Sequence, residues 1–339
     1  MIQFSIFKNR FLIFSLSLAL VFLVVALLIL ANHENKKDLF AEKNLQNNLA
    51  ENSDGDKVVP KKPIKILFVG DMMFDRYIRE GVEKYGNGDY NYVFGQIKDK
   101  LAGYDLVVGN LEGPITDKSS VSVGTAMDEK KNLVFTFDPA VAKTLFENNI
   151  KLVDLGNNHI LNQNEDGVVQ TKKYLDEASV QYFGDMGAKS PIGDLAPKNV
   201  NGTKIGFVNY NYSVAGSLER AVEDIKNIKN KSDIVVVCPH WGTEYKVGDP
   251  GQEIRNEAYQ LIDAGADLIV GGHPHVIEDS EVYKNKKIYF SLGNFVFDQY
   301  FQKETMEGLG VELTVNSDLT MEFNEVKFEM TKKGQTKVK

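Results

Sequence analysis

"ADLIVGGHPHV", residues 266–276, runs an apolar stretch into two histidines set around a proline. "ADLIV" reads as a buried strand. Gly-Gly-His-Pro-His reads as the turn that ends it, because glycine frees the backbone and proline fixes φ. A polar turn alone explains such a stretch. The remaining histidines argue for more. Only five occur in the 339 residues: His33, His159, His240, His273 and His275. His240 follows the apolar run "DIVVVCP" (233–239), and His159 follows "KLVDLGN" (151–157). Four of the five thus fall at the ends of three expected strands. In an open α/β sheet ligands bind at such ends, and histidine is both the commonest metal ligand and the usual acid or base near neutral pH.

Outward from these strands, apolar runs alternate with helical patterns. Strands are expected at 64–70, 105–113, 133–137, 151–156, 180–184, 203–211, 233–240, 267–272, 286–297, 308–315 and 321–330. Helices are expected at 77–86, 139–149, 164–178, 217–229 and 251–264, the second opening on Pro139, a favoured first-turn residue. The order is βαβα through the middle with a strand-rich end. It predicts a layered α/β fold, two packed sheets with helices outside. The early strands are continuous apolar runs, as strands buried on both faces must be. No repeat at solenoid periods is present.

The net charge of −8 argues against a nucleic-acid partner, which selects a basic excess. The single cysteine, Cys238, allows no internal disulfide and no CxxC metal site, and its place in an apolar strand makes it a small core residue. "FLIFSLSLALVFLVVALLILA" (11–31) is uncharged and long enough to cross a bilayer, with Lys8 and Arg10 before it. An uncleaved single-pass membrane anchor is expected, with residues 1–10 cytoplasmic and the rest outside the cytoplasm. A cleaved signal peptide would carry a shorter apolar region, and Ile29 fits its −3 position poorly. Residues 32–63 are polar and charged, the composition of a flexible linker, with a short helix possible at 38–50. The folded domain is expected at 64–330, followed by a polar tail at 331–339.

Polar residues gather at the expected strand ends. "VGDMMFDR" supplies Asp71, Asp75 and Arg76. "VGNLEGP" supplies Asn110 and Glu112. "GNNH" supplies Asn157, Asn158 and His159. "PHWGTEY" supplies His240 and Glu244, and "GGHPH" supplies His273 and His275. Asp and Asn oxygens with His nitrogens suit Mn, Zn or Fe, and a two-metal site needs a bridging carboxylate. Several of these residues have plainer readings. Arg76 either clamps an anion or pairs with Asp75 or Glu80. Trp241 either walls the site or sits in the core. Glu244 either orients His240 or lies on the surface. Ser291 and Asn294, in "SLGNF", either touch substrate or form a turn.

The combination "GDMMFDR", "NLEGPIT", "GNNH", "HWGTEY", "GGHPHV" and "YFSLGNFVFD", over roughly residues 64–300, resembles the CapA family of poly-γ-glutamate capsule biosynthesis proteins, similar in turn to calcineurin-like metallophosphoesterases. The resemblance implies a four-layered α/β/β/α sandwich of the metallophosphoesterase type with one or two divalent ions (Mn, Zn, Fe or Mg) at its strand ends. It places Asp71, Asn158, His240, His273 and His275 in ligand positions and His159 as an acid or transition-state donor. Glu112 takes the bridging position, with Asn110 beside it. Arg76, Glu244 and Asn294 would contact substrate. The implied role is a membrane-anchored, extracytoplasmic protein of capsule polymer synthesis or export with a phosphoesterase-like site. Its partners would be an anionic polymer or phosphoester and other synthase or export subunits. The alternatives are a non-catalytic polymer-binding scaffold and a general extracytoplasmic phosphoesterase. Two positions depart from the pattern. Met73 replaces a metal histidine, and Asn162 replaces an aspartate three residues after His159.

Overall fold

The computed structural model describes residues 62–184 and 197–339. The expected membrane anchor, the helix at 38–50 and nearly all of the linker lie outside these residues. Among the described residues no helix is long and apolar enough to cross a membrane.

The architecture is mixed α/β with two sheets. In the first, β1 (Ile64–Met72), β2 (Leu106–Leu111), β3 (Ile150–Asp154) and β4 (Gln181–Phe183) run parallel. The antiparallel strands β12 (Glu307–Val315), β13 (Met321–Met330) and β14 (Thr336–Val338) extend it from the other side of β1. Its order is β14-β13-β12-β1-β2-β3-β4. In the second sheet, β6 (Thr203–Asn211), β7 (Ile234–His240), β8 (Leu268–Val270) and β10 (Lys286–Tyr289) are parallel. Antiparallel β5 (Lys198–Val200) and β9 (Ser280–Tyr283) close its two edges.

The strand period of two sorts side chains into layers. On β7, Ile234, Val236 and Cys238 face the first sheet. Val235 and Val237 instead face α5 (Ser217–Lys229) and α6 (Gln252–Ala264). On β2 and β3, Val108 and Leu152 turn toward the second sheet. Val107 and Val153 turn toward α1 (Arg76–Gly86), α3 (Ala140–Glu147) and α4 (Asn164–Glu177). Each helix offers one apolar stripe, for example Ala221, Ile225 and Ile228 on α5, spaced to lie on one face. The succession is helices, sheet, sheet, helices. Cys238 is the buried core residue its strand predicts.

Two expected strands are corrected. "LVFTF" (133–137) is no strand of either sheet: Leu133 ends a short 3-10 turn, and the rest is a loop with one isolated bridge, Phe137 to Ile115. Its alternating pattern arises because Phe135 and Phe137 fill the core under the helices. Residues 286–297 form two strands, not one. β10 lies in the second sheet, while β11 (Asn294–Val296) pairs with the end of β1 in the first. The chain changes sheets through Gly293, whose φ of +68° suits glycine. The polar end of the chain also folds: β14 pairs with β13, and buried Thr336 donates its hydroxyl to the Phe295 carbonyl. The short helix α2 (Lys98–Ala102) and the strands β5 and β9 carry no strong periodic signal in the sequence.

Candidate metal centre

The site forms where the C-terminal ends of β1, β2, β3, β7 and β8 converge. Asp71 sits near the end of β1, flanked by Asn110 on β2 and Asn294 on β11. Gly70 permits this crowding, since a Cβ there would come within 1.8 Å of the Gly293 carbonyl oxygen. Asp71 is fully buried and is met from three sides. The Asn110 amide nitrogen donates to its Oδ1 at 2.8 Å, the His273 backbone N–H donates to its Oδ2 at 3.1 Å, and His275 Nδ1 lies 3.3 Å from Oδ2. Burial pushes the Asp71 carboxyl up, but His275, His240 and Asn110 outweigh it and hold the group at about 2. It is a carboxylate at every physiological pH.

Glu112 follows β2 by one residue and is also fully buried. Its Oε1 has no hydrogen-bond partner. His275 Nε2 lies 3.6 Å from Oε1 and His159 Nε2 4.0 Å from it. Burial drives the Glu112 carboxyl well above its usual range. A buried carboxyl oxygen left without a partner is costly and calls for an explanation.

The histidines close the site. His240, last residue of β7, has Nε2 2.9 Å from Asn158 Oδ1 and 3.2 Å from His273 Nδ1. Burial, with His273 beside it, holds His240 far below its usual range, so its ring is neutral and available as a donor of electrons. His273 and His275 adopt φ of +95° and +58°, strained for histidine and kept only because the turn is locked. Burial pulls His275 down, but Glu112 and Asp71 raise it to about 9. Asn294 Oδ1, 3.0 Å from His275 Nδ1, fixes its ring.

His159 stacks on Phe135 at 4.3 Å between ring centroids. Asn162 Oδ1 accepts from the Phe135 backbone N–H at 2.7 Å and faces His159 Nδ1 at 3.0 Å. An acceptor there puts the imidazole proton on Nδ1 and leaves the Nε2 lone pair toward Glu112. Burial lowers His159 to about 4. The residue that departs from the family pattern therefore sets the tautomer of its histidine.

One oxygen from Asp71, one from Glu112 and one nitrogen from His240 all lie within 4.8 Å of one another. Two carboxylates and an imidazole suit a divalent transition ion, and the Glu112 carboxyl, whose Oε1 accepts no hydrogen bond, would gain a partner in it. The residues present fit the implied metal. Met73 does not face this group. It is fully buried in the helix-side core, and its sulfur accepts from the Asp75 backbone N–H at 3.0 Å.

A family model described as bacterial capsule synthesis protein PGA_cap matches residues 65–299. The chain belongs to this family. It is 32% identical over 255 residues to capsule biosynthesis protein CapA of Bacillus anthracis, covering 70% of this chain and 60% of that protein. It is 33% identical over 251 residues to PGA biosynthesis protein CapA of Bacillus subtilis (strain 168), covering 68% and 63% respectively. The chain thus spans less than two thirds of the length of these relatives. Among solved structures, a novel phosphatase from Mycoplasma pneumoniae aligns with a TM-score of 0.47 at 17% identity, over 79% of this chain and 94% of that one.

Around the metal group, this PGA_cap chain places the expected substrate residues unevenly. Arg76 pairs neither with Asp75 nor with Glu80. Its Nη2 meets Asp298 at 2.5 Å, its Nη1 donates to Asn132 Oδ1 at 2.8 Å, and its guanidinium lies against Phe135 and Phe297. Asp75 is buried on Arg79, Ser122 and the Thr136 backbone instead. Asn294 is fully buried, and its amide nitrogen is spent on Gln299 and the Thr305 carbonyl, so it orients His275 rather than touching substrate. Ser291 is buried on the Val276 carbonyl. Trp241 is core, its indole N–H on the Phe290 carbonyl. Glu244 is exposed at the mouth of a 220 Å³ pocket whose lining also includes exposed Asn158, half-buried His159 and buried His275. Sequence reasoning missed Asp298 and Asn132, which meet Arg76 only through long-range folding. It also missed Phe135, hidden in the misread strand.

Proposed function

We propose that this chain is a membrane-anchored protein of capsule polymer synthesis or export whose domain, a four-layered sandwich of the metallophosphoesterase type, hydrolyses a phosphoester with the help of one divalent ion. The observation that carries the reading is the convergence of Asp71, Glu112 and His240, with a buried Glu112 oxygen that accepts no hydrogen bond from the protein. Membership of the capsule synthesis family supports the biological setting. The apolar run at 11–31 supports the anchor and an extracytoplasmic domain.

Asp71, Glu112 and His240 would hold the ion; Asn158 and His273 lie beside His240, and His275 beside Asp71. When bound, a divalent ion supplies Lewis-acid polarisation of a phosphoryl oxygen. The protein does the rest. Asn110 offers N–H groups, not oxygen, to Asp71, and so keeps a ligand in place. Asn294 instead turns its amide oxygen to His275 Nδ1 and holds that ring. His159, with its proton fixed on Nδ1, presents Nε2 as a proton acceptor rather than a donor.

The test is metal-dependent hydrolysis of bis-p-nitrophenyl phosphate by the purified chain. Asp71→Asn and His240→Ala should each lose at least about a hundredfold in rate. Wild-type activity that is unchanged in both variants would overturn the reading. Bound metal without turnover would favour a second one, a polymer-binding scaffold. The orientation of Met73 into the core supports that alternative, because it leaves one compact ligand group among the described residues.

A further inference from the structure

The 220 Å³ pocket that opens beside the metal group has two unlike ends. Its inner end is polar and shares Asn158, His159 and His275 with the site above. Its outer end is apolar: Tyr77, Met127, Leu133, Tyr245 and Phe301 line it and are all exposed to solvent. Apolar side chains gathered at the mouth of a site mark a surface meant to be covered. Tyr245 is held there with care. Its backbone takes φ +65°, its N–H donates to the Pro274 carbonyl at 2.8 Å, and its hydroxyl accepts from Gln299 at 3.1 Å. The ring is wedged between His275 and Phe301, with centroids 6.0 and 5.2 Å away.

Charge decides what this end can take. The pocket lining carries two carboxylates, Glu244 and Asp298, and one guanidinium. Both Nη atoms of that guanidinium, on Arg76, are already spent on Asp298 and Asn132. His275, the other candidate cation, lies between Asp71 and Glu112. Among the described lining residues no cation remains for a second anionic group, and Glu244 would repel one. A run of free carboxylates, as in a polyglutamate chain, finds no partner here.

We propose that the outer pocket binds an uncharged apolar group carried on the same molecule as the anion at the metal group. The substrate is then an ester of an apolar alcohol with a single anionic head group rather than a stretch of polyanion. This rests on the phosphoester reading above and names its substrate class.

The test is calorimetric titration of the full chain with Mn²⁺ present, using phenylphosphonate, methylphosphonate and a γ-linked glutamate trimer. Phosphonates resist hydrolysis, so binding is read alone. Phenylphosphonate should bind about tenfold tighter than methylphosphonate, because the ring removes apolar surface from water, and the trimer should bind more weakly than either. In Leu133→Ala, Phe301→Ala, two exposed positions whose loss leaves the core intact, the preference should fall below about threefold. Equal affinities for the two phosphonates, a preference unchanged in the double variant, or tightest binding of the trimer would overturn the proposal. The ratio between phosphonates reads the pocket, whereas the dependence on Mn²⁺ reads the metal. Tight, ring-selective binding without Mn²⁺ would sink the metal reading and leave this one standing. Failure of both phosphonates to bind would overturn both.

Discussion

Replacing Asp298 by leucine should cost more stability than any single change at the surface of this domain. The carboxylate meets Arg76 Nη2 at 2.5 Å, and the two side chains are 3% and 10% exposed. Its second oxygen accepts from the Tyr77 backbone N–H at 3.1 Å. Leucine would strand a guanidinium between Phe135 and Phe297 with only Asn132 as partner and with Nε already unsatisfied. Breaking a buried pair from one side costs about 3–5 kcal/mol, and the lost backbone bond adds about 1 kcal/mol. Replacing both partners with apolar residues removes the stranded charge, so Arg76→Met, Asp298→Leu together should lie within about 2 kcal/mol of the wild type. Urea unfolding followed by circular dichroism measures all four corners of this double-mutant cycle. An Asp298→Leu loss below about 1 kcal/mol, or a double variant destabilised by the sum of the singles, would refute the buried-pair reasoning.

Three further outcomes are expected. Asp154 is fully buried, and burial raises its carboxyl to about 8, from 3.8. The folded state therefore keeps a proton that the unfolded state has lost, so this group's contribution falls as pH rises between about 4 and 8, by at most about 1.4 kcal/mol per pH unit. Unfolding titrations at pH 5, 6, 7 and 8 should show that slope reduced in Asp154→Asn; an unchanged slope would contradict the assignment. Gly70→Ala would force a Cβ against the Gly293 carbonyl and should destabilise the domain by about 3 kcal/mol, read as a lower urea midpoint. Asn162→Ala should free the His159 ring and lower metal-dependent hydrolysis by about 10–100-fold with little change in stability. Equal rates would make Asn162 a loop residue only.

Much of the layered fold is legible in the chain because it is written in local periodicity. The runs at β1, β2, β3, β6 and β7 are mostly apolar, and the helices between them carry single stripes. The misreadings have one cause. Residues 133–137 and 290–293 are apolar for tertiary reasons, the first packing under helices, the second carrying the chain from one sheet to the other. No local pattern separates these from a strand. The convergence of the candidate site was legible where a polar residue follows a strand, as Asp71, Glu112, His240, His273 and His275 do. It was not legible where function depends on distant partners. Arg76 and Asp298 are 222 positions apart, and the roles of Asn294 and Asn162 appear only when the histidines they hold are in place. Their amides look like turn residues in sequence because asparagine serves both purposes.

The strand-end carboxylates and histidines are proposed to hold a metal ion. Elemental analysis of the purified chain after reconstitution with Mn²⁺ or Zn²⁺ and exhaustive dialysis tests it directly, beside an Asp71→Ala, His240→Ala variant whose fold is checked by circular dichroism. About one ion per chain is expected in the wild type and almost none in the folded variant. A wild type without metal, or a folded variant that keeps its ion, would contradict it.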